Sequence, residues 1–197
     1  HGTWDASHGY ITGLYYRLYF NITLCNFFLE QIDGKTDAES VAQRAEARFL
    51  RSLNYYYLID MYGKVPFVIA ISTKKSSQVE RAELFKFIEK ELLEVSESMK
   101  EPRTNTYGRA DKVAAWLLLA RLYLNAEVYT GTPQWDKASE YAQKVMKSSY
   151  SLSPVYKHLF MADNNGSSVN KANTEIILPI IQDGATTRNY GGSLFLI

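Results

Sequence analysis

Trp116-Leu117-Leu118-Leu119-Ala120-Arg121-Leu122-Tyr123 is the stretch on which the fold of this chain turns. A large ring is followed by Leu three residues on, a small residue next to it, and Tyr three residues later. This is the first-helix pattern of a tetratricopeptide pair, W-x2-L-G-x2-Y, with Ala in place of Gly. The physical need behind it is plain: a small residue lets two helices cross closely, and large ones fill the groove on either side. The surrounding helix is expected over about Ala110 to Tyr129. Gly131 and Pro133 break it, and a partner helix follows over about Trp135 to Ser148, with Ala138 and Ala142 as its small positions. Leu50-x2-Leu53-Asn54-x2-Tyr57 is a poorer copy, and it too is followed by a break, at Gly63 and Pro66.

Working outward, Ile11, Tyr15, Leu18, Ile22, Cys25, Leu29 and Ile32 recur at three- and four-residue spacing and predict a helix over 9–32. Gly34 stands where a left-handed residue ends such a helix. Thr36-Asp37-Ala38-Glu39 has the form of a capping box and opens a second helix over 37–62, with Val41, Ala45, Phe49, Leu53, Tyr56 and Ile59 on one side. Residues 67–80 read as a loop. A third helix over 81–99 places Leu84, Ile88, Leu92, Val95 and Met99 in register, and its carboxylates Glu89, Glu91, Glu94 and Glu97 read as a solvated face. Residues 161–174, rich in Asn, Ser and Gly, read as a surface loop, and the β-branched run 175–181 reads as a strand. The expected fold is therefore mainly α: tetratricopeptide-like hairpins over 1–160, then the start of an irregular or β part over 161–197. The chain opens on His1 and stops at Ile197 within an apolar run, which reads as an internal piece of a larger protein.

The bulk numbers exclude several partner classes. With 22 basic and 21 acidic residues the formal net charge is +1, so no electrostatic drive points to nucleic acid or an anionic membrane. No stretch approaches the ~20 apolar residues of a membrane-crossing helix. A single cysteine, Cys25, excludes an internal disulfide and a cysteine metal site. His1, His8 and His158 are far apart and make no metal-ligand spacing, and no phosphate-binding loop is present. Nothing converges as a nucleophile, base or metal would in an active site, so no enzyme is expected. The 15 Tyr, 9 Phe and 3 Trp stand out instead, since a tyrosine joins a flat apolar face to a polar tip.

Several strings occur in an order that resembles one family. They are Asn26-Phe27-Phe28-Leu29, Arg44-Ala45-Glu46-Ala47-Arg48-Phe49-Leu50-Arg51 and Tyr62-Gly63-Lys64-Val65-Pro66-Phe67, then Gly108-Arg109-Ala110-Asp111-Lys112, Ala120-Arg121-Leu122-Tyr123-Leu124-Asn125-Ala126 and Asn189-Tyr190-Gly191-Gly192. On these strings the chain resembles the SusD-like (RagB/SusD) proteins, most closely the starch-binding founder of the family. The resemblance implies a mostly helical scaffold with a more irregular glycan-binding part. It also implies a lipid-anchored protein on the outer membrane of Bacteroidetes, closing over a TonB-dependent, SusC-like transporter. The lipidated cysteine would lie outside these residues. Arg188, Asn189 and Tyr190 are the matching residues of a carbohydrate site, with Tyr190 as the stacking ring. The tryptophans of that site would also lie outside, and Trp4 is not one of them. A calcium site is implied at a loop like Met161-Ala162-Asp163-Asn164-Asn165, with Asp163 and Asn165 as the matching ligands. Asn at 165 offers a carbonyl oxygen without charge, where the relative has Asp.

Residues read without the resemblance leave a rival open. A tetratricopeptide-type adaptor that binds a peptide in its concave face would use the same helices. The polar loop at 161–174 and the Arg188-to-Gly192 string favour the glycan-binding reading.

Overall fold

The computed structural model describes Asp5 and residues 8–182 of the 197-residue chain. Helix α1 runs over Gly9–Gln31, α2 over Ala38–Met61, α3 over Arg81–Ser98, α4 over Lys112–Leu124, α5 over Ala126–Thr130 and α6 over Trp135–Met146. Strands β1 (Val65–Pro66) and β2 (Gln78–Val79) pair antiparallel, and 3-10 turns lie at Tyr156–Phe160 and Ala172–Thr174. The protein is mainly α, as the periodicity predicts.

Each helix packs on the next, α1 on α2, α2 on α3 and α3 on α4, and α4 packs on α6. Polar contacts give the directions. Lys64 after α2 meets Glu80 before α3, while Lys100 after α3 reaches back to Glu39 at the start of α2. Lys137 at the start of α6 lies over the ring of Tyr123 at the end of α4. Both pairs are therefore antiparallel hairpins. The shared core is built by Phe49, Tyr55, Leu58 and Ile59 of α2, Leu84, Ile88 and Leu92 of α3, and Leu119, Leu122 and Tyr123 of α4. Each such side chain contributes roughly 1.5–3 kcal/mol by leaving water. Leu119 and Tyr123 are fully buried, as the tetratricopeptide pattern requires. Trp116 is half-buried, in a shallow recess with Pro102, Lys144 and Ser148.

Local chemistry moves several boundaries. Asp37, not Thr36, caps α2: its carboxylate accepts the Ser40 N–H at 2.9 Å. The helix expected from Ala110 starts at Lys112 because Asp111 takes the cap and accepts the Val113 N–H. That helix also breaks at Asn125, whose side chain donates to the Arg121 carbonyl and so competes with the helical ladder. The poorer repeat copy is out of register by one residue. Leu50 and Tyr57 are exposed, while their neighbours Phe49 and Tyr56 are buried. Ala138 is buried against α4, but Ala142 faces solvent.

Three irregular segments also differ from expectation. Residues 67–80 hold the short strand β2, which a two-residue ladder cannot announce in sequence. Residues 175–181 form no strand. The Glu175 and Ile176 N–H groups both turn back to the Ala172 carbonyl, and Ile177 and Leu178 spend their side chains on the helical core. The loop 161–174 lies at the surface except at Asn170 and Ala172, which are buried.

Candidate functional site

The strings that carry the family resemblance turn out to join elements. Arg44 donates to the carbonyls of Ile32 and Lys35, which the end of α1 leaves without helical partners. Glu46 accepts from the Arg109 guanidinium and, at 2.8 Å, from the Ala110 N–H. Arg48 and Arg51 both donate to Glu91 of α3, Arg48 through a fork at 3.0 and 2.6 Å and Arg51 at 2.8 Å. Glu91 is only 7% exposed, which corrects its reading as part of a solvated face. Glu89 is corrected in the same way, since it accepts the Tyr123 hydroxyl at 2.9 Å. A helical wheel cannot show that a carboxylate is met by arginines from another helix. Burial alone would push the Glu91 carboxyl up, but the hydrogen bonds from Arg48 and Arg51 outweigh it and hold it below the ordinary glutamate range.

Arg51 also fixes the segment that leaves β1. Its other terminal nitrogen donates to Asn26 Oδ1 at 2.8 Å and to the Ile69 carbonyl, and Asn26 donates in turn to Val68. Tyr55 donates its hydroxyl proton to the Val68 carbonyl and accepts the Val68 N–H. Burial pushes the Tyr55 hydroxyl up to about 12.

A second hub sits at Asp111, where the helices meet the C-terminal segment. Its buried carboxylate accepts from the Arg103 N–H at 2.8 Å and the Tyr150 hydroxyl at 2.8 Å, besides capping α4. Arg103 is the one non-glycine residue with a positive φ, 62°, among those described. Such a conformation costs on the order of 1–3 kcal/mol and persists where neighbours enforce it. Here the Asp111 hydrogen bond does so. The Arg103 guanidinium lies 5.2 Å from the Tyr150 ring centre and donates to the carbonyls of Asn173 and Thr174. Gly108 has φ 87°, and a Cβ there would press on the end of the Ile181 side chain. The tail therefore needs the left-handed turn, which favours glycine.

Between this turn, Tyr150 and residues 173–179 lies a cleft of about 200 Å³. Tyr107, Arg103, Asn105 and Asn173 line it, an exposed ring beside planar hydrogen-bonding groups. These four come from two segments that no motif links in the sequence. Neither a histidine nor a cysteine lines the cleft, and its carboxylate, Asp111, is fully engaged as an acceptor. Arg103 and Asn105 are engaged as well, Arg103 on the carbonyls of Asn173 and Thr174 and Asn105 on the Ala110 carbonyl and the Thr106 N–H.

The implied calcium loop has internal hydrogen bonds of its own. Asp163 accepts from Asn170 Nδ2 at 2.9 Å and Ser167 Oγ at 3.0 Å, and these bonds hold its carboxyl below the usual range. Asn170 also donates to the His158 carbonyl, and its Oδ1 accepts the Ala172 N–H. Asn165 is exposed. No group of three or more His, Cys, Asp or Glu that could hold a metal occurs among the described residues. Calcium takes 6–8 oxygen ligands, so the site that the resemblance implies at Asp163 and Asn165 would draw its other ligands from outside these residues. Arg188, Asn189 and Tyr190, the expected carbohydrate-binding residues, lie outside the described residues.

The comparisons with known proteins agree with one another. A family model described as "SusD-like_3: Starch-binding associating with outer membrane" matches residues 1–124. The starch-binding protein SusD of Bacteroides thetaiotaomicron is 51% identical over 195 residues, 99% of this chain and 35% of the relative. Among solved structures, a SusD-like carbohydrate-binding protein of Bacteroides fragilis is similar at 23% identity and a TM-score of 0.71, over 79% of this chain and 31% of that one. A structure solved with a xylogluco-oligosaccharide is similar at 25% identity and a TM-score of 0.74, over 85% of this chain and 34% of that one. The chain thus spans about a third of the length of the relatives it matches.

Proposed function

Because the chain belongs to the SusD-like family, we propose that it is part of a cell-surface glycan-binding protein that captures starch or a related α-glucan and delivers it to a TonB-dependent, SusC-like transporter. The observation that carries this reading is the 51% identity to a starch-binding protein across 99% of the chain. The family's association with the outer membrane supports that location, and a lipid anchor outside these residues would hold the protein there. The same relationship favours this reading over a peptide-binding adaptor, and it supports binding without catalysis.

The physics of the task is consistent with the residues. An α-glucan coil is amphipathic, so an exposed ring can stack on a sugar face while neighbouring donors reach its hydroxyls. In this reading Tyr190 stacks, and Arg188 and Asn189 donate. Gly191 and Gly192 carry no side chains and leave room for a large ligand beside the ring. The test is retention of the whole protein on insoluble starch, with cellulose as the control polymer. Passage through starch without retention would remove the α-glucan. Purification from native outer membranes tests the partner, since the proposal requires a TonB-dependent barrel to co-purify.

A further inference from the structure

Asn165-Gly166 is the one Asn-Gly pair in the 197 residues, and the fold sets it at the surface. It closes a turn in which the Gly166 N–H donates to the Asp163 carbonyl at 3.0 Å. Asn165 is exposed, and its carboxamide has no hydrogen-bond partner among the described residues. Gly166 has φ 107°, and a Cβ there would press on the Asn173 side chain. The fold therefore holds glycine at 166, the residue that crowds its own backbone nitrogen least.

The other asparagines of this loop are placed differently. Asn164 precedes another asparagine and donates to the Leu159 carbonyl at 3.0 Å. Asn170 precedes Lys171 and is buried, with its side chain bonded to His158, Asp163 and Ala172. Asn173 precedes the β-branched Thr174. A solvated carboxamide followed by glycine thus occurs in the loop at 165 alone.

We infer that Asn165 is a self-modification site, at which the Gly166 backbone nitrogen attacks the Asn165 side-chain carbon Cγ and asparagine becomes aspartate or isoaspartate. The ring that closes is five-membered, so the nucleophile is already tethered beside its target. The N–Cγ bond forms and the bond from Cγ to the carboxamide nitrogen breaks. That nitrogen leaves as ammonia, with the proton that the Gly166 N–H gives up. Solvent water then opens the cyclic imide at one of its two carbonyl carbons. Opening at Cγ leaves aspartate, and opening at the Asn165 backbone carbonyl leaves isoaspartate. Nothing is oxidised or reduced.

Either product alters the loop. Residues 161–174 hold one acid, Asp163, and one base, Lys171, so a new carboxylate takes their formal charge from zero to −1. Isoaspartate also lengthens the backbone inside the turn and displaces the Gly166 N–H from the Asp163 carbonyl. The change is one-way, so the loop ages with the molecule. The same hydrogen bond restrains the rate, because the nitrogen attacks only when the turn opens. Asp163 helps to keep the turn shut through its bonds from Ser167 and Asn170. None of this depends on glycan binding.

The test ages the folded full-length protein in mildly alkaline buffer at physiological temperature. Cleavage after Lys157 and Lys171, done in mild acid to halt the reaction, releases one peptide that carries Asn164, Asn165 and Asn170 together. Mass spectrometry should place a gain of about one mass unit at Asn165, in separate chromatographic peaks for aspartate and isoaspartate, with Asn164 and Asn170 unchanged. Asn165→Gln should remove the gain, because its side chain would have to close a larger ring. Asp163→Ala should speed it severalfold by loosening the turn. A folded protein whose peptide gains no mass would overturn the inference, even where the urea-unfolded protein reacts. So would a gain located at Asn164 or Asn170.

Discussion

The α2–α3 layer and the segment after α6 solve the same problem in opposite ways. In the layer, charged side chains are taken inside and matched: Glu91 meets Arg48 and Arg51, and Glu46 meets Arg109. In the segment from Tyr150 to Gln182, order comes from polar clasps on the backbone. Asn170 gathers His158, Asp163 and Ala172, and Arg103 holds the carbonyls of Asn173 and Thr174. Large apolar groups such as Tyr156, Phe160 and Ile180 stay exposed there. A core absorbs the loss of one clasp poorly if the clasp is a buried charge, whereas a surface segment loosens locally.

The comparison breaks most sharply at Glu91. Glu91→Ala leaves Arg51 buried without its carboxylate, and the expected cost is about 3–5 kcal/mol in urea unfolding. A loss below 1 kcal/mol would show that water reaches the pair. The pH dependence draws on the same interaction with a smaller effect. The folded-state pKa of Glu91 is depressed, so the unfolded chain binds its proton first as pH falls. The stabilisation is therefore fully present above the ordinary glutamate value of 4.5 and is lost as pH falls below it through the folded value. The urea midpoint should be level from neutral pH down to about 5 and drop in more acid solution, and Glu91→Gln should flatten that drop.

Asp111 sharpens the contrast, because it belongs to both regions. Asp111→Ala strands the donors of Arg103, Val113 and Tyr150, with an expected cost of about 1–3 kcal/mol. The damage should concentrate in the tail. Limited proteolysis is expected to cut within 172–182, while amide exchange in α2 and α3 stays slow. Equal loosening of both regions would mean that they form a single cooperative unit.

The smallest expected effect separates scaffold from site. Tyr190→Ala in the full-length protein should weaken malto-oligosaccharide binding roughly tenfold in calorimetry, since stacking of one ring contributes on the order of 1 kcal/mol beyond its buried area. Its urea midpoint should not move. Unchanged affinity in the folded variant would remove Tyr190 from the site.

The sequence by itself determined what depends on neighbours along the chain. The helices α1, α2, α3 and α6 lie within a few residues of where their three- and four-residue spacing places them, and Leu119 and Tyr123 are buried as their pattern requires. The ordered strings from Asn26 to Gly192 pointed to the family that the comparisons show. Tertiary structure alone decided what depends on groups distant in sequence. Glu91 occupies a position that looks solvent-facing on its own helix, and only the arrival of Arg48 and Arg51, some forty residues away, makes its burial tolerable. The run 175–181 has every local mark of a strand. A strand exists only with a hydrogen-bonding partner, and here Ala172, Tyr150 and the helical core claimed its backbone and side chains first.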